Sequence, residues 1–386
     1  MVSSCINCEH CIGEKCQLDW EIGQMGKVGI VLFGPSLDAV SGVSSHVKLL
    51  MASSLADRYK LMHFQVGREG RAENKWQRMA RFAFSPLQLA VFLVRKKPRI
   101  VHINTSMDRK AFWRDLTYLI VARLLGCRVV NQFHSGSAPQ SLFSSPLLSS
   151  ILKRFLLASH VVTVLSSGAV RSHRAFDSRI AVELVPNAID TKGLLDVERE
   201  RPVGGAPLRL VFVGRIIRSK GLFESLAALK LLKDQGLGFE LRVAGSGPDE
   251  AEVLESIARL GLTSEVTLLG PVFGAEKDRL WLGSDVQVFP TYHNEGLPYS
   301  ILESMAAGCV PITCPVAAIP DVMRDGVHGL FVPAHDPAAV AAAIRRLADN
   351  RAELLCMSAA GRQRIAENYT VDRLAARFGE IYERVA

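Results

Sequence analysis

Short apolar runs rich in β-branched residues alternate along this chain with segments of helical periodicity. This alternation is typical of a parallel, doubly wound sheet with helices on both faces. In the first half, a predicted helix precedes each predicted strand after the first. The first of these helices spans residues 44–55. The predicted strands of this half are residues 27–33, 100–103, 128–133 and 161–164.

The same pattern starts again after Asn187, beyond a linker at residues 198–207 that is rich in Pro, Gly and charge. A chain of 386 residues is long enough for two such domains. Because ligands of open α/β sheets bind at the carboxyl ends of the strands, we expect the functional loops there. The predicted strands of the second half are residues 208–213, 240–244, 266–269, 286–289, 310–313 and 330–332.

The net charge of +8 is unevenly distributed: residues 1–190 carry +11 and residues 191–386 carry −3. This asymmetry indicates an anionic partner for the first half, and nucleic acid and an acidic membrane surface both fit it. Ordinary solvated surface charge explains it equally well. The first twenty residues are too acidic for a secretory signal, and no apolar stretch is long enough for a membrane span, so we expect a cytoplasmic protein.

One loop after a predicted strand has the features of an anion site. Residues 295–308 read EGLPYSILESMAAG, and a helix is predicted from about Pro298. The free N–H groups at a helix N-terminus bind phosphate, and Gly296 allows a tight turn before it. Glu295 and Glu303 on either side of such a site would suit hydroxyl groups rather than phosphate.

A second loop supplies the cations. Residues 214–221 read GRIIRSKG and follow the strand at 208–213. Arg215 can bind phosphate oxygens with two hydrogen bonds, and Lys220 adds a compact charge, so together they would stabilise a departing diphosphate. The chain contains no Asp-x-Asp sequence, the usual metal-holding pair of sugar-transferring enzymes, which favours a metal-independent reaction.

Both loops resemble those of retaining glycosyltransferase family 4, whose members have the GT-B fold. Glu295 and Glu303 match the family's Glu-x7-Glu motif, and residues 214–221 match its Gly-Arg…Lys-Gly loop. Residues 185–190, 244–248 and 325–330 resemble further family landmarks in the same order. The resemblance covers residues 27–386 and implies two Rossmann-like domains that face a central cleft.

The resemblance also implies a domain plan and a reaction. An acceptor domain would occupy residues 26–188 and a nucleotide-sugar domain residues 189–371, with a last helix at 372–386 returning to the first domain. The reaction would transfer a sugar, with retention of configuration, from a nucleotide diphosphate sugar to a carbohydrate or lipid-linked acceptor. Synthesis of cell-surface polysaccharide or glycolipid is the setting that the family suggests.

Individual roles follow from the matched positions. Arg215 and Lys220, with Gly214, would bind the donor diphosphate. Glu303 would hold the ribose hydroxyls, and Glu295 would contact the transferred sugar. The backbone at Gly296 and Leu297 would lie against phosphate or sugar.

The first half contributes two candidates. Gly42 occupies the second position of the family's Gly-Gly pair, where Ser41 replaces the first glycine. His134 follows a predicted strand at the position where the family often has His or Asp near the sugar. A satisfied, purely structural histidine is an equally good interpretation of His134. We interpret His46, His102 and His293 as non-catalytic.

Four cysteines, Cys5, Cys8, Cys11 and Cys16, lie ahead of the first predicted strand with C-x2-C-x2-C-x4-C spacing. In a cytoplasmic chain this spacing favours a metal over disulfides, and zinc and an iron–sulfur cluster are both compatible with it. A dispensable extension spanning residues 1–25 is the alternative. We assign no catalytic role to these cysteines.

A basic stretch in the first half indicates a membrane contact. Its cations recur every three or four residues with aromatic and Met side chains between them, as in an interfacial helix on anionic lipid. A solvated helix with one buried face is the competing interpretation. The basic residues are Arg68, Arg71, Lys75, Arg78 and Arg81, and the interleaved residues are Trp76, Met79 and Phe82.

Two other functional classes remain open at this stage. One is a different GT-B reaction, such as that of a nucleotide-sugar epimerase or a phosphorylase. The other is a non-catalytic nucleotide-binding scaffold. A nucleic-acid binder is disfavoured because no recognition motif accompanies the basic stretch.

Overall fold

The computed structural model of the chain describes residues 26–67, 73–136, 138–197 and 206–386. Over these ranges the strands form two six-stranded sheets in which neighbouring strands are parallel, which confirms the predicted fold class. The first sheet has the order β2-β1-β3-β4-β5-β6 and the second the order β12-β11-β10-β7-β8-β9. The strand sequence reverses between β1 and β3 and between β7 and β10. In such sheets, the reversal points are where ligands bind.

The strands agree closely with the buried runs predicted from the sequence. β2 and β6 are the two that the sequence pattern did not reveal, and both lie at edges of the first sheet. The first sheet contains β1 (Gly29–Gly34), β2 (Lys60–Gln65), β3 (Ile100–Thr105), β4 (Arg128–Phe133), β5 (Val161–Val164) and β6 (Val182–Leu184). The second contains β7 (Leu208–Val213), β8 (Phe239–Ala244), β9 (Val266–Gly270), β10 (Val286–Phe289), β11 (Val310–Thr313) and β12 (Leu330–Phe331).

Helices cover both faces of each sheet. Those of the first half are α1 (Gly42–Met51), α2 (Leu55–Arg58), α3 (Lys75–Lys96), α4 (Arg109–Leu124), α5 (Pro146–Ala158) and α6 (Ser167–Phe176). Those of the second half are α7 (Leu222–Asp234), α8 (Glu250–Arg259), α9 (Gly274–Leu282), α10 (Tyr299–Ala306), α11 (Ile319–Val322), α12 (Pro337–Asp349), α13 (Arg351–Asn368) and α14 (Val371–Val385).

The helix predicted over residues 44–55 is interrupted. It ends at Met51, and the short helix α2 begins only at Leu55. The hydroxyl of Ser53 donates to the carbonyl of Leu50 at 2.7 Å and accepts from the backbone N–H of Leu55. Serine hydroxyls compete with the helical backbone in this way, and the competition turns the chain here.

The last helix lies against the first sheet. Leu374, Phe378 and Tyr382 of α14 are buried in one cluster with Ile30 and Leu32 of β1. Arg384 pairs with Glu183 of β6, and the Arg99 side chain donates to the carbonyl of Ala386 at 2.7 Å. The chain therefore crosses from the second sheet back to the first.

None of the helices within the described ranges is both long enough and apolar enough to cross a membrane. Arg68 and Arg71 of the basic stretch lie outside those ranges, as do the four N-terminal cysteines. Lys75 opens helix α3.

Two histidines of the first half are fully buried. His102 of β3 shares a hydrogen bond of 2.6 Å between its Nδ1 and the hydroxyl of Tyr382. His46 of α1 lies beside the Gln132 side chain of β4. Burial lowers the pKa of His46 to about 4 and that of His102 to about 3. Both imidazoles are therefore neutral in the folded protein at pH 7.

These two pKa values predict acid sensitivity. A histidine in the unfolded chain becomes protonated near pH 6.5, whereas the two fully buried histidines of the folded protein stay neutral at that pH. The free energy of unfolding is therefore highest above pH 6.5 and falls as the pH drops toward 4. By pH 5 the free energy of unfolding should fall by about 2 kcal/mol for each histidine. Urea denaturation at pH 7.5 and pH 5 measures the change. His46→Leu should reduce the pH dependence, and an equal dependence in this variant would contradict the assignment.

Candidate functional site

The loop after β7 lies against the segment that follows β10, at the reversal point of the second sheet. Gly221 has a φ of +83°, and a Cβ built there would lie 2.3 Å from the carbonyl oxygen of Pro290. The backbone N–H of Tyr292 donates to the carbonyl of Ser219 at 2.9 Å. The two segments predicted to carry the chemistry are therefore joined backbone to backbone.

Lys220 and Glu295 form an ion pair at this junction. The Lys220 Nζ donates to the Glu295 Oε1, and both side chains are largely buried. The hydroxyl of Thr291 donates to the same carboxylate oxygen at 3.2 Å. Because each charge has a partner, the pair can be held in a partly dehydrated cleft without an unpaired charge.

Arg215 belongs to the same group of charges. Its side chain is exposed, and its charge acts on His293 together with those of Lys220 and Glu295. Burial lowers the pKa of His293, and the two cations lower it further. Since the Ser219 hydroxyl shares a hydrogen bond of 2.9 Å with His293 Nδ1, a neutral imidazole holds the two loops together.

Glu303 lies about one turn into α10 and is held by helix α9. Lys277 Nζ donates to its Oε1 at 2.7 Å, and Trp281 Nε1 donates to its Oε2 at 3.2 Å. The sequence reasoning missed Lys277 and Trp281. Their spacing of four residues places both on one face of a helix, but only the packing of α9 against α10 brings that face to Glu303.

Gly42 lies at the first position of α1, opposite the second sheet. The Ser41 side chain caps this helix by accepting from the N–H of Ser44 at 3.2 Å. A Cβ built at Gly42 would lie 3.6 Å from the ring of Tyr299, which precedes Glu303 by about one turn. Ser41, which replaces the first glycine of the expected pair, thus serves as a helix cap.

His134 lies just beyond β4 and is half-buried. Its Nε2 is 2.9 Å from the Asn104 Oδ1, and its ring lies edge-on to that of His46 at 4.8 Å. Burial, with smaller contributions from His46 and His102, holds its pKa well below the usual value. Asn104 is a third residue that the sequence reasoning missed.

The loops of the two sheets meet at backbone distance. A Cβ at Gly296 would lie 2.1 Å from the His134 carbonyl oxygen, and one at Gly136 would lie 2.3 Å from the Glu295 carbonyl oxygen. The Asn187 amide donates to the carbonyl of Leu297 at 2.9 Å. Only glycine permits this approach, so the two loops form one continuous surface.

The structure therefore brings most of the predicted residues together. Lys220 forms an ion pair with Glu295, and Gly296 lies against the backbone of His134. Gly42 lies against Tyr299, about one turn before Glu303 on α10. Among the described residues, no group of three or more His, Cys, Asp or Glu side chains is arranged to hold a metal ion.

Comparisons with known proteins agree with this geometry. Residues 207–350 match the family described as glycosyl transferases group 1. The chain is 30% identical over 185 residues to the amylovoran biosynthesis glycosyltransferase AmsK of Erwinia amylovora, a match that covers 47% of this chain but only 46% of that relative. It is 27% identical to the 2-deoxystreptamine glucosyltransferase of Streptomyces kanamyceticus, over 74% of this chain and 76% of the relative.

The fold also has solved counterparts. The structure of Anabaena HepE in complex with UDP and glucose superposes with a TM-score of 0.70 at 13% identity, covering 92% of this chain and all of HepE. The two facing parallel sheets therefore have the GT-B fold. The part of the second half that matches the glycosyl transferases group 1 family carries Arg215, Lys220, Glu295 and Glu303.

Because the two loops lie so close together, a side chain at Gly136 or Gly296 should be poorly tolerated. Gly136→Ala and Gly296→Ala would push the loops apart, and a displacement near 1 Å in an active site costs about 10²-fold in turnover. Small-angle scattering should show a more open molecule, and sugar transfer should fall accordingly.

Gly168→Ala is the matched control, because a Cβ at that helical position has no described neighbour nearer than 3.8 Å. Full transfer by Gly136→Ala would show that the two loops need not touch.

Proposed function

We propose that the chain transfers a sugar from a nucleotide diphosphate sugar to an acceptor with retention of configuration. The observation that carries the proposal is the clustering of Arg215, Lys220 and Glu295 around His293 at the reversal point of the second sheet. This cluster faces Gly296 and the backbone of His134. A cation cluster at a reversal point suits a diphosphate leaving group.

Within this proposal, Arg215 and Lys220 bind the diphosphate beside Gly214. Arg215 is exposed and available to it, and Lys220 already lies against a carboxylate oxygen. Binding of the diphosphate gives Lys220 a second anionic neighbour. Its charge then offsets the negative charge that develops as the bond to the sugar breaks.

Glu295 and Glu303 take hydroxyl groups. Glu295 contacts the transferred sugar, with the backbone of Gly296 and Leu297 against sugar or phosphate. Glu303 accepts from the ribose hydroxyls, and its contacts with Lys277 and Trp281 hold it ready for them. Carboxylates aligned by such partners need little reorganisation when the donor binds.

The two halves divide the substrates. We assign the acceptor to residues 26–188 and the donor to residues 189–371, with residues 372–386 packed on the acceptor half. Support for the assignment of α14 comes from its burial against β1. Because protein cations supply the charge that a metal supplies elsewhere, transfer proceeds without a catalytic metal.

Replacement of Lys220 tests the proposal. In a panel of UDP-, GDP- and ADP-sugars assayed with EDTA, we expect one donor class to support transfer. On that donor, Lys220→Ala should lose about 10²–10³-fold in turnover, because one preorganised charge is removed from the transition state. Arg215→Ala should behave similarly.

Arg218→Ala serves as the control. This cation lies in the same loop but pairs with Glu252 on the surface, and its loss should leave turnover within a few-fold. Near-normal transfer by Lys220→Ala would contradict the assigned role. Dependence of the parent enzyme on added Mg²⁺ would contradict the metal-independent step.

The membrane is the second partner in this proposal. Helix α3 lacks acidic residues throughout its 22 positions and ends in Arg95 and Lys96. Trp76, Leu87 and Val94 lie on the helix face opposite buried Leu89 and are 76%, 63% and 57% exposed. An apolar stripe beside basic residues is the pattern of a helix that lies on anionic lipid.

A groove on this helix strengthens the choice of lipid as the occupant. Leu87, Val91 and Phe92 line it together with Arg95 and Lys96. Acyl chains fit an apolar groove, and lipid phosphates fit the cations beside it. Contact here would hold the acceptor half at the membrane surface, where lipid-linked acceptors are found.

Vesicle binding tests the membrane contact. The protein should sediment with vesicles of phosphatidylglycerol and phosphatidylcholine but not with phosphatidylcholine alone, and salt should weaken the binding. The triple variant Trp76→Ser, Leu87→Ser, Val91→Ser should bind about tenfold more weakly, because apolar area is lost. Leu231→Ser with Leu254→Ser, which removes exposed apolar residues from the other half, is the control. Equal binding by both variants would exclude α3 as the contact.

A further inference from the structure

A short chain of hydrogen bonds leads from the first strand to His134. The Asn104 Nδ2 donates to the carbonyl oxygen of Phe33 at 3.0 Å, and the Asn104 Oδ1 lies 2.9 Å from the His134 Nε2. Asn104 is 2% exposed and is the penultimate residue of β3, the strand between β1 and β4. The chain therefore links the ends of three neighbouring strands at the floor of the cleft.

The chemistry of these groups determines which atoms carry protons. A backbone carbonyl can only accept, so the amide nitrogen of Asn104 must face Phe33 and its oxygen must face the imidazole. An amide oxygen can only accept, so the His134 Nε2 must carry a hydrogen. Because burial disfavours the charged ring, the His134 Nδ1 then carries a lone pair.

The lone pair on Nδ1 is accessible. His134 is half-buried, its Nδ1 has no hydrogen-bond partner among the described residues, and it is not one of the buried polar atoms that lack partners. The neighbouring titratable groups are His46 of α1 and His102 of β3, both buried and neutral. The Glu295–Gly296 turn packs on the other side, and its carboxylate is paired with Lys220.

We propose that Asn104 is a positioning residue that holds His134 in the Nε2–H form and leaves Nδ1 as an acceptor facing the substrate. The inference rests on the proposed role of His134 beside the transferred sugar. It adds a restriction on the substrate: the group that meets His134 must donate a hydrogen bond, as a hydroxyl does. A carboxylate at that position would meet a lone pair and lose its hydration without replacement.

The alternative role for Asn104 is structural, as a bridge between β1 and β3. That role needs only the bond from Nδ2 to Phe33. It makes no demand on the His134 tautomer, and it predicts no change in the pH dependence of turnover when the charge at position 104 changes. The tautomer and the pH profile therefore separate the two roles.

NMR of the protein labelled with ¹⁵N-histidine tests the tautomer directly, with His134→Ala identifying the resonances. The parent protein should show a protonated Nε2 and an unprotonated Nδ1 on His134 at pH 7.5. An Nδ1–H form would overturn the inference and leave the proposed transfer reaction untouched. This measurement requires no substrate and no activity.

Asn104→Asp tests the functional consequence. The carboxylate would stabilise the imidazolium of His134, so its pKa should rise and Nδ1 should be protonated at pH 6. Turnover at pH 6 should then fall at least about tenfold relative to the parent. By pH 8.5 the ring is neutral again with its proton on Nε2, and turnover should recover to within a few-fold. A pH profile that matches the parent's would overturn the proposal.

Two further variants complete the test. The leucine of Asn104→Leu cannot hydrogen-bond to His134 and so cannot fix its tautomer, and kcat should therefore fall at every pH. If His134 acts mainly in the transition state, the KM for the donor should change less than kcat. His134→Ala should lose as much turnover as Asn104→Leu. Full turnover by His134→Ala, with the Nε2–H form intact in the parent, would overturn the role of His134 and the substrate restriction, but not transfer itself.

Discussion

The contact between Gly296 and the carbonyl of His134 is the constraint on which the rest of the cleft depends. The two sheets come from separate halves of the chain, and at their strand ends two loops meet without side chains between them. A Cβ at either Gly136 or Gly296 would overlap a carbonyl oxygen. Glycine is therefore required here for closeness rather than for an unusual φ. The same contact brings neutral His134 beside the paired charges of Glu295 and Lys220.

The carboxylates of the cleft are each paired with a cation. Glu295 is matched by Lys220, and Glu303 by Lys277, so neither carboxylate is buried without a cation. Arg215 remains exposed beside the first pair. The imidazoles that line the first sheet are neutral because burial lowers their pKa values. The cleft therefore presents cations from the second half and, at His134, an uncharged hydrogen-bonding group from the first.

The fold and the main residues of the candidate site could be predicted from the sequence, because the patterns that indicate them are local. Buried parallel strands appear as apolar runs, and the loops that follow them carry Arg215, Lys220 and Glu295 at recognisable spacings. The sequence did not reveal β2 and β6 because most of their residues are only half-buried and their apolar pattern is weak. A different reason explains why the sequence did not reveal Lys277, Trp281 and Asn104. Each lies far along the chain from the residue it supports, and nothing in its own neighbourhood marks it.

By itself, then, the sequence determined the alternation of strands and helices, and it predicted the two-domain plan and the residues proposed to bind a diphosphate. These follow from short-range periodicity and side-chain chemistry. The tertiary structure alone decided which partner each of those residues has: Lys220 with Glu295, Lys277 and Trp281 with Glu303, and Asn104 with His134. Such pairings depend on strand order and on helix packing, which bring together residues up to 75 positions apart. Protonation follows from them, because the tautomer and the pKa of a histidine depend on what surrounds it in space.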